Sequence, residues 1–321
     1  MEDHAAVLNT IDLSNHDIRQ SAALLKKACA DSGFFYVIKH GISEEFMNEV
    51  FSQAKKFFAL PENEKMKVAC KNSPGYAKNL YFDQETNQRS HGEIFRMIHE
   101  LPGSDQDAQK PFGGPNPWPS ADVLPAWKET MLKYQQEMIN LGKAVARIIA
   151  VALDVNEDFF DQPNLLGNAL SYYNFNHYVQ YGASNKYTLG TLAHSDIFII
   201  TILATNDVPG LQICKNIDAN PRVWENVLPL KGAFVINIGD MLQWMSNGLF
   251  RSTKHRVLFR EERYSLACFV SPSLEGTIEC IPSCKSAENP PKYPPIKCEK
   301  FIANVYKKRG DDQNISDHTK L

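Results

Sequence analysis

Leu192-Ala193-His194-Ser195-Asp196-Ile197-Phe198-Ile199-Ile200-Thr201-Ile202-Leu203 is the stretch on which the fold turns. The apolar run from Ile197 to Leu203 reads as a buried strand, and a carboxylate at the head of such a strand is costly to bury without compensation. His194 and Asp196 are two residues apart, so on an extended chain their side chains point to the same side. Far along the chain His255 opens a second apolar run, Val257-Leu258-Phe259. Two imidazoles and one carboxylate on one face of an ion leave the opposite face open, an arrangement that suits Fe(II). A lone His-x-Asp is as often a surface turn, so the rest of the chain has to decide.

The 321 residues can bury a sizeable core, and 43% apolar with 22% charged residues is ordinary for a globular protein. A formal net charge of −3 argues against a nucleic-acid or anionic-membrane partner held by bulk charge. A small-molecule substrate and a monomer are the expectation. The opening Met1-Glu2-Asp3-His4 carries no apolar signal region, and no run reaches the ~18 apolar residues of a membrane span. Seven cysteines, scattered and without a CxxC pair, fit free thiols in a cytoplasmic protein. The C-terminal Thr319-Lys320-Leu321 only loosely matches the peroxisomal address.

Ahead of the metal motif the chain alternates helix and strand signals. Ser14 and Asp17 have capping-box spacing before a helix striped by Ile18, Ala22, Leu25 and Cys29. Gly33 stops it, and Phe34-Phe35-Tyr36-Val37-Ile38 reads as a strand. Ser43 starts a second helix with Phe46, Val50, Ala54 and Phe57 on one face. A turn-rich stretch follows, with Gly113-Gly114 at its end, and Glu93-Ile94-Phe95-Arg96-Met97-Ile98 is a candidate strand within it. Periodicity then predicts a long helix from Ala126 to Leu153, enough to brace one face of a sheet.

Past Gly167 short β-type segments succeed one another, bounded by Gly, Asn, Asp and Pro, as in a sandwich or barrel. The economical reading is α+β: a double-stranded β-helix (jelly-roll) core braced by helices. One domain would span 1–321, with an N-terminal helical and strand region (1–120), a bracing helix (121–166), the core (167–275) and a wrapping tail (276–321).

Arg263-Tyr264-Ser265 adds a second chemistry. Arg and Ser again lie two apart, and a guanidinium fork beside a hydroxyl is suited to gripping a carboxylate. Near an Fe(II) site it would hold the far end of a dicarboxylate that chelates the metal. The structural alternative is an arginine paired with Glu261 or Glu262.

With these elements the chain resembles the plant-type 2-oxoglutarate- and Fe(II)-dependent dioxygenases, which share the isopenicillin N synthase fold. The resemblance runs through Leu25 to Ile42, Gly210-Leu211-Gln212, Asn237-Ile238-Gly239-Asp240 and Ser246-Asn247-Gly248, besides the motifs above. It implies that His194, Asp196 and His255 bind Fe(II), and that Arg263 and Ser265 hold 2-oxoglutarate. Asn176-His177-Tyr178 matches the family's Asn-x-Tyr element, implying cosubstrate contacts from Asn176 and Tyr178. O2 would be the oxidant, succinate and CO2 the coproducts, and ascorbate an accessory reductant. The prime substrate would be a small specialised metabolite (an alkaloid, a phenolic or a hormone), undergoing hydroxylation or derived demethylation, desaturation or ring closure. Retention of Asp196 disfavours halogenation. Two other readings stay open: an Fe(II)/O2 oxidase that does not use 2-oxoglutarate, and a catalytically silent ligand-binding jelly roll.

Substrate-pocket candidates are Phe198, by alternation from Asp196, and Phe95, Phe269 and Glu93 from the family layout. His40 is expected to be structural, and His91 and His99 to face solvent or the pocket rim. Residues 180–192, with Tyr181, Gly182, Asn185, Tyr187 and Gly190, are expected to form a mobile loop near the mouth.

Overall fold

A computed structural model describes residues 5–69, 74–78, 82–83, 88–89, 92–99, 115–179, 187–216, 219 and 221–317. His91, Gly113, Gly114, Tyr181, Gly182, Asn185 and Thr319-Lys320-Leu321 lie outside the described residues.

The chain begins with strand β1 (Asn9–Asp12), helix α1 (Ile18–Asp31) and strand β2 (Phe34–Ile38). Asp17 alone caps α1, accepting from the amides of Arg19 and Gln20, while Ser14 bonds back to Asp12. The expected capping box is therefore an aspartate cap plus a separate turn. Between α1 and β2, Gly33 has φ +70°, and a Cβ there would lie 2.0 Å from the carbonyl oxygen of Arg251. Only glycine allows this approach, which ties the N-terminal segment to the loop before His255.

Helices α2 (Glu44–Phe58) and α3 (Glu62–Met66) follow, then strands β3 (Gly75–Lys78), β4 (Phe82–Asp83), β5 (Gln88–Arg89) and β6 (Gly92–Ile98). The long helix α4 (Trp127–Ala152) matches its predicted span and buries Met131, Met138, Leu141, Val145, Ile148 and Ile149. Strands β7 (Leu170–Tyr178), β8 (Thr188–His194), β9 (Ile200–Thr205), β10 (Leu211–Asn216), β11 (Val223–Asn226) and β12 (Phe234–Ile238) come next. A short helix α5 (Asp240–Met245) precedes β13 (His255–Phe259) and β14 (Arg263–Ser271). The tail adds β15 (Thr277–Ile278), β16 (Ile296–Lys297) and helix α6 (Cys298–Asp317).

Eight strands form one sheet in the order β1-β2-β12-β9-β14-β7-β6-β3, and four form another, β11-β10-β13-β8. The N-terminal region thus contributes four strands to the main sheet. The expected loop over residues 180–192 is in part strand, because β8 begins at Thr188 and pairs with β13. Gly190 permits that: a Cβ there would lie 2.7 Å from the Tyr178 ring and 2.9 Å from Val257.

Alternation along the main sheet decides where function can sit. Tyr173 and Phe175 on β7, Ile200 and Ile202 on β9, and Leu266, Cys268 and Val270 on β14 pack into the large core shared with α1, α2 and α4. The intervening residues Asn174, Asn176, Tyr178, Thr201, Arg263 and Ser265 face the smaller sheet and line a cavity. The helix-side face is largely apolar and structural, apart from the paired Glu93 and His177, and the other face lines the cavity.

Candidate metal and cosubstrate centre

His194 is the last residue of β8 and His255 the first of β13, and the two strands pair these residues directly. Their ring centroids are 4.3 Å apart. Asp196 does not share a strand with His194: β9 starts only at Ile200, and Asp196 lies in the turn between them. The side chain still reaches the histidines, with Oδ1 3.5 Å from His194 Nε2 and 3.7 Å from His255 Nε2. The three ligand atoms lie within 4.8 Å of one another.

Each imidazole is preset for ligation. His194 Nδ1 sits 2.8 Å from the Leu192 carbonyl and His255 Nδ1 3.1 Å from the Thr253 carbonyl. A carbonyl can only accept, so Nδ1 carries the proton and Nε2 presents its lone pair to the centre. The other carboxylate oxygen of Asp196 is held by Thr201 Oγ1 at 2.5 Å and Asn237 Nδ2 at 2.7 Å, leaving Oδ1 free for a metal. Burial pushes this carboxyl upward, but the His255 and His194 rings when protonated, together with Thr201, outweigh it and hold it well below the usual carboxylate range. Asp240 braces both ligand-bearing loops, accepting from Ser195 at 3.2 Å and from Ser252 at 2.5 Å.

Across the cavity Arg263 is 1% exposed. Its Nε donates to the Val208 carbonyl at 3.2 Å, and its Nη1 has no hydrogen-bond partner. An unsatisfied buried guanidinium nitrogen is costly unless a ligand completes it. Glu262 bonds His177 and Tyr264 instead, so the alternative of an Arg263–glutamate pair is not realised with that residue. Ser265 Oγ lies 3.4 Å from both Tyr178 Oη and Asn176 Nδ2. Arginine, serine, tyrosine and asparagine converge beside the triad, in a cavity of about 120 Å³ walled by Leu203, Leu211, Val257 and Phe269. The donor set fits both expected groups: two preset imidazoles and a carboxylate for Fe(II), and an unpaired guanidinium with a hydroxyl for a carboxylate.

The pocket candidates divide. Phe269 lines the cavity. Phe198 does not: it stacks on Tyr172 with ring centroids 4.9 Å apart, in a turn where strand alternation does not apply. Phe95 is fully buried against Phe57 and Trp127, on the helix side of β6. Glu93 is bound by Lys65, Tyr76 and His177 and is no substrate carboxylate. On β6 it is Ile94 and Arg96 that face the cavity, in place of the expected Glu93 and Phe95. Ile94 and Ile98 on the other face are as apolar as Phe95 and Met97, so the strand's own pattern does not choose between its faces. Asn174, Arg96, Thr201 and the role of Asn237 escaped sequence reading. His40 is structural, bonding the Gly232 carbonyl at 3.2 Å and packing on Phe234, and His99 is partly buried at the end of β6. A larger surface groove of about 700 Å³ beside α1 and the end of α4 lies away from this chemistry.

Comparison with known proteins agrees with this geometry. Residues 8–121 match the family model for the N-terminal region of non-haem dioxygenases in morphine synthesis, and residues 169–272 match the 2OG-Fe(II) oxygenase superfamily. The chain is 49% identical to kihadalactone A synthase LFS of Citrus sinensis over 97% of its own length and 98% of that protein's. It is also 49% identical to azadirone synthase LFS of Melia azedarach, over 93% of this chain and 92% of that one. JOX2, solved with 2-oxoglutarate, iron and JA, superposes with a TM-score of 0.78 at 29% identity, covering 94% of this chain and 85% of that one. With both halves matched and near-full-length relatives at this identity, the chain belongs to the 2-oxoglutarate- and Fe(II)-dependent oxygenase superfamily.

Proposed function

We propose that His194, Asp196 and His255 hold Fe(II), and that Arg263, Ser265, Tyr178 and Asn176 hold 2-oxoglutarate beside it. The observation that carries this is the pairing of a preset triad with a buried Arg263 Nη1 that lacks a partner in the same cavity. When bound, Fe(II) with 2-oxoglutarate supplies oxygen activation, coupled to release of succinate and CO2. The chain's own residues supply position and environment. The Leu192 and Thr253 carbonyls fix both imidazole tautomers, and Thr201 with Asn237 aims the carboxylate. Arg263 and Ser265 grip the distal carboxylate, Tyr178 adds a hydroxyl donor, and Leu203, Leu211, Val257 and Phe269 keep water from the centre.

The substrate is a small specialised metabolite, in keeping with relatives named as synthases of kihadalactone A and azadirone. The outcome is hydroxylation, or demethylation, desaturation or ring closure derived from it. Among the described residues no helix is long and apolar enough to cross a membrane. We place the enzyme in the cytoplasm as a monomer without nucleic-acid partners, a reading supported by six described cysteines that are all free and by the net charge of −3. The test is a metabolite screen scored by mass spectrometry and substrate-dependent succinate release. Iron-loaded protein that oxidises a metabolite without 2-oxoglutarate would replace this reading with that of an Fe(II)/O2 oxidase.

A further inference from the structure

The cavity face of the main sheet is built in rows of residues paired across strands. One row runs Ile94–Asn176–Ser265 and contains cosubstrate residues. Another runs Phe269–Thr201 and contains the hydroxyl that holds Asp196. Between them lies a row Arg96–Asn174–Ala267–Leu203, also lining the cavity. Neither the metal nor 2-oxoglutarate accounts for its polar members, Arg96 and Asn174. Arg96 is partly buried, and among the described residues no carboxylate forms an ion pair with it. The same strand's Glu93, by contrast, is fully engaged on the opposite face.

Charge makes Arg96 conspicuous. Among the described residues, the charged side chains lining the cavity are Asp196, Arg263 and Arg96. With Fe(II) and dianionic 2-oxoglutarate bound and both histidines neutral, metal, cosubstrate, Asp196 and Arg263 sum to zero. Among the described lining residues Arg96 is then the charge left over, set in a low-dielectric wall among Ile94, Ala267 and Leu203. In the sheet, β6 stands three strands from β9, so the Arg96 backbone lies roughly 14 Å across from the strand behind Asp196. That places its guanidinium at the far side of the cavity from the strand that holds the metal carboxylate.

We propose that Arg96, with Asn174 beside it, recognises the prime substrate, and that the substrate presents to it an oxygen acceptor, a carboxylate or an ester or ketone carbonyl. The proposal rests on the 2-oxoglutarate-dependent reading above. The guanidinium fork donates to the acceptor oxygen, and the Asn174 amide adds a donor from the neighbouring strand. This fixes one end of the substrate while an apolar edge lies over Ala267, Leu203 and Phe269.

The test is calorimetric titration of the protein loaded with Mn(II) and 2-oxoglutarate, using 2-naphthylacetic acid, its methyl ester and 2-ethylnaphthalene. Wild type is expected to bind at least one oxygenated probe about tenfold or more tighter than the hydrocarbon. In Arg96→Met the three affinities converge. A carboxylate acceptor puts the acid ahead of the ester, with partial rescue in Arg96→Lys, and a carbonyl acceptor puts the ester level with or ahead of the acid. The proposal is overturned if the three probes bind wild type alike, if none binds, or if the ranking survives in Arg96→Met. Loading is measured in the same experiment, so a wild type that fails to take up 2-oxoglutarate counts against the cosubstrate site and not against Arg96. Melting temperatures of the variants show whether each remains folded.

Discussion

Strands β6 and β7 carry charged and polar residues on both faces, and the two faces behave in opposite ways. On the helix side Glu93 and His177 pair directly across the strands. Lys65, Tyr76 and His177 surround Glu93, and His177 reaches Glu262 through its other nitrogen at 2.7 Å. Every group there finds a partner within the protein. On the cavity side Arg96, Asn174 and Asn176 join Arg263, whose Nη1 has none, and a triad whose Nε2 and Oδ1 atoms converge. The number of charges does not separate a structural network from a site; closure does. A network that satisfies itself holds the fold, and donors left open in a cavity await a ligand.

The sharpest way to break this distinction is at the triad. Asp196→Ala should lower Fe(II) affinity by more than about 100-fold, beyond the ~10–100-fold cost of losing an outer partner, and should abolish turnover. Asn237→Ala belongs in that smaller range. Retained stoichiometric iron in Asp196→Ala, measured by metal analysis after gel filtration, would remove the carboxylate from the ligand set.

The closed network answers differently. Glu93→Ala strands Lys65 in a buried position and should cost about 3 kcal/mol of stability in urea unfolding. Bound iron should be unaffected at temperatures where the variant is folded. Its pH dependence follows from sign. Burial pushes the Glu93 carboxyl up, but His177, Lys65 and Tyr76 outweigh that and hold it at about 2, against an ordinary 4.5. A lowered native value stabilises the fold above the unfolded value, and that contribution is lost as the pH falls from about 4.5 towards 2. Wild type should therefore lose stability more steeply across this window than Glu93→Gln, by chemical denaturation at each pH.

Arg263→Met should weaken 2-oxoglutarate binding by roughly 10–100-fold while leaving metal uptake intact, because only the cosubstrate clamp is lost. The smallest effect belongs to Phe198. Packed on Tyr172 outside the cavity, Phe198→Leu should cost about 1 kcal/mol and leave the product distribution unchanged. A changed product ratio would put that ring back into the pocket.

Much of this was legible in the sequence, for physical reasons. The apolar runs behind His194 and at His255 announce buried strands, and a long 3.6-residue period announces α4. Residue type and spacing suggest the triad and the Arg263/Ser265 pair, and the family resemblance is what implies their roles toward iron and 2-oxoglutarate. Two kinds of error remain, and both come from local geometry. His194 and Asp196 converge through a turn and not through alternation, so extending period two across them misplaced Phe198. In β6 each face carries one charged residue, Glu93 or Arg96, so charge could not choose the parity. What chose it was packing from elsewhere, with Phe57 and Trp127 closing over Phe95. Such long-range contacts leave no mark on a seven-residue strand.

The most direct test of the central claim is anaerobic titration of iron-loaded wild type, Arg263→Met and Glu93→Gln with 2-oxoglutarate, read by the visible charge-transfer band of the complex. The account predicts a saturable band in wild type and Glu93→Gln and a strongly right-shifted titration in Arg263→Met. Equal titrations for wild type and Arg263→Met, or loss of the band in folded Glu93→Gln alone, would contradict it.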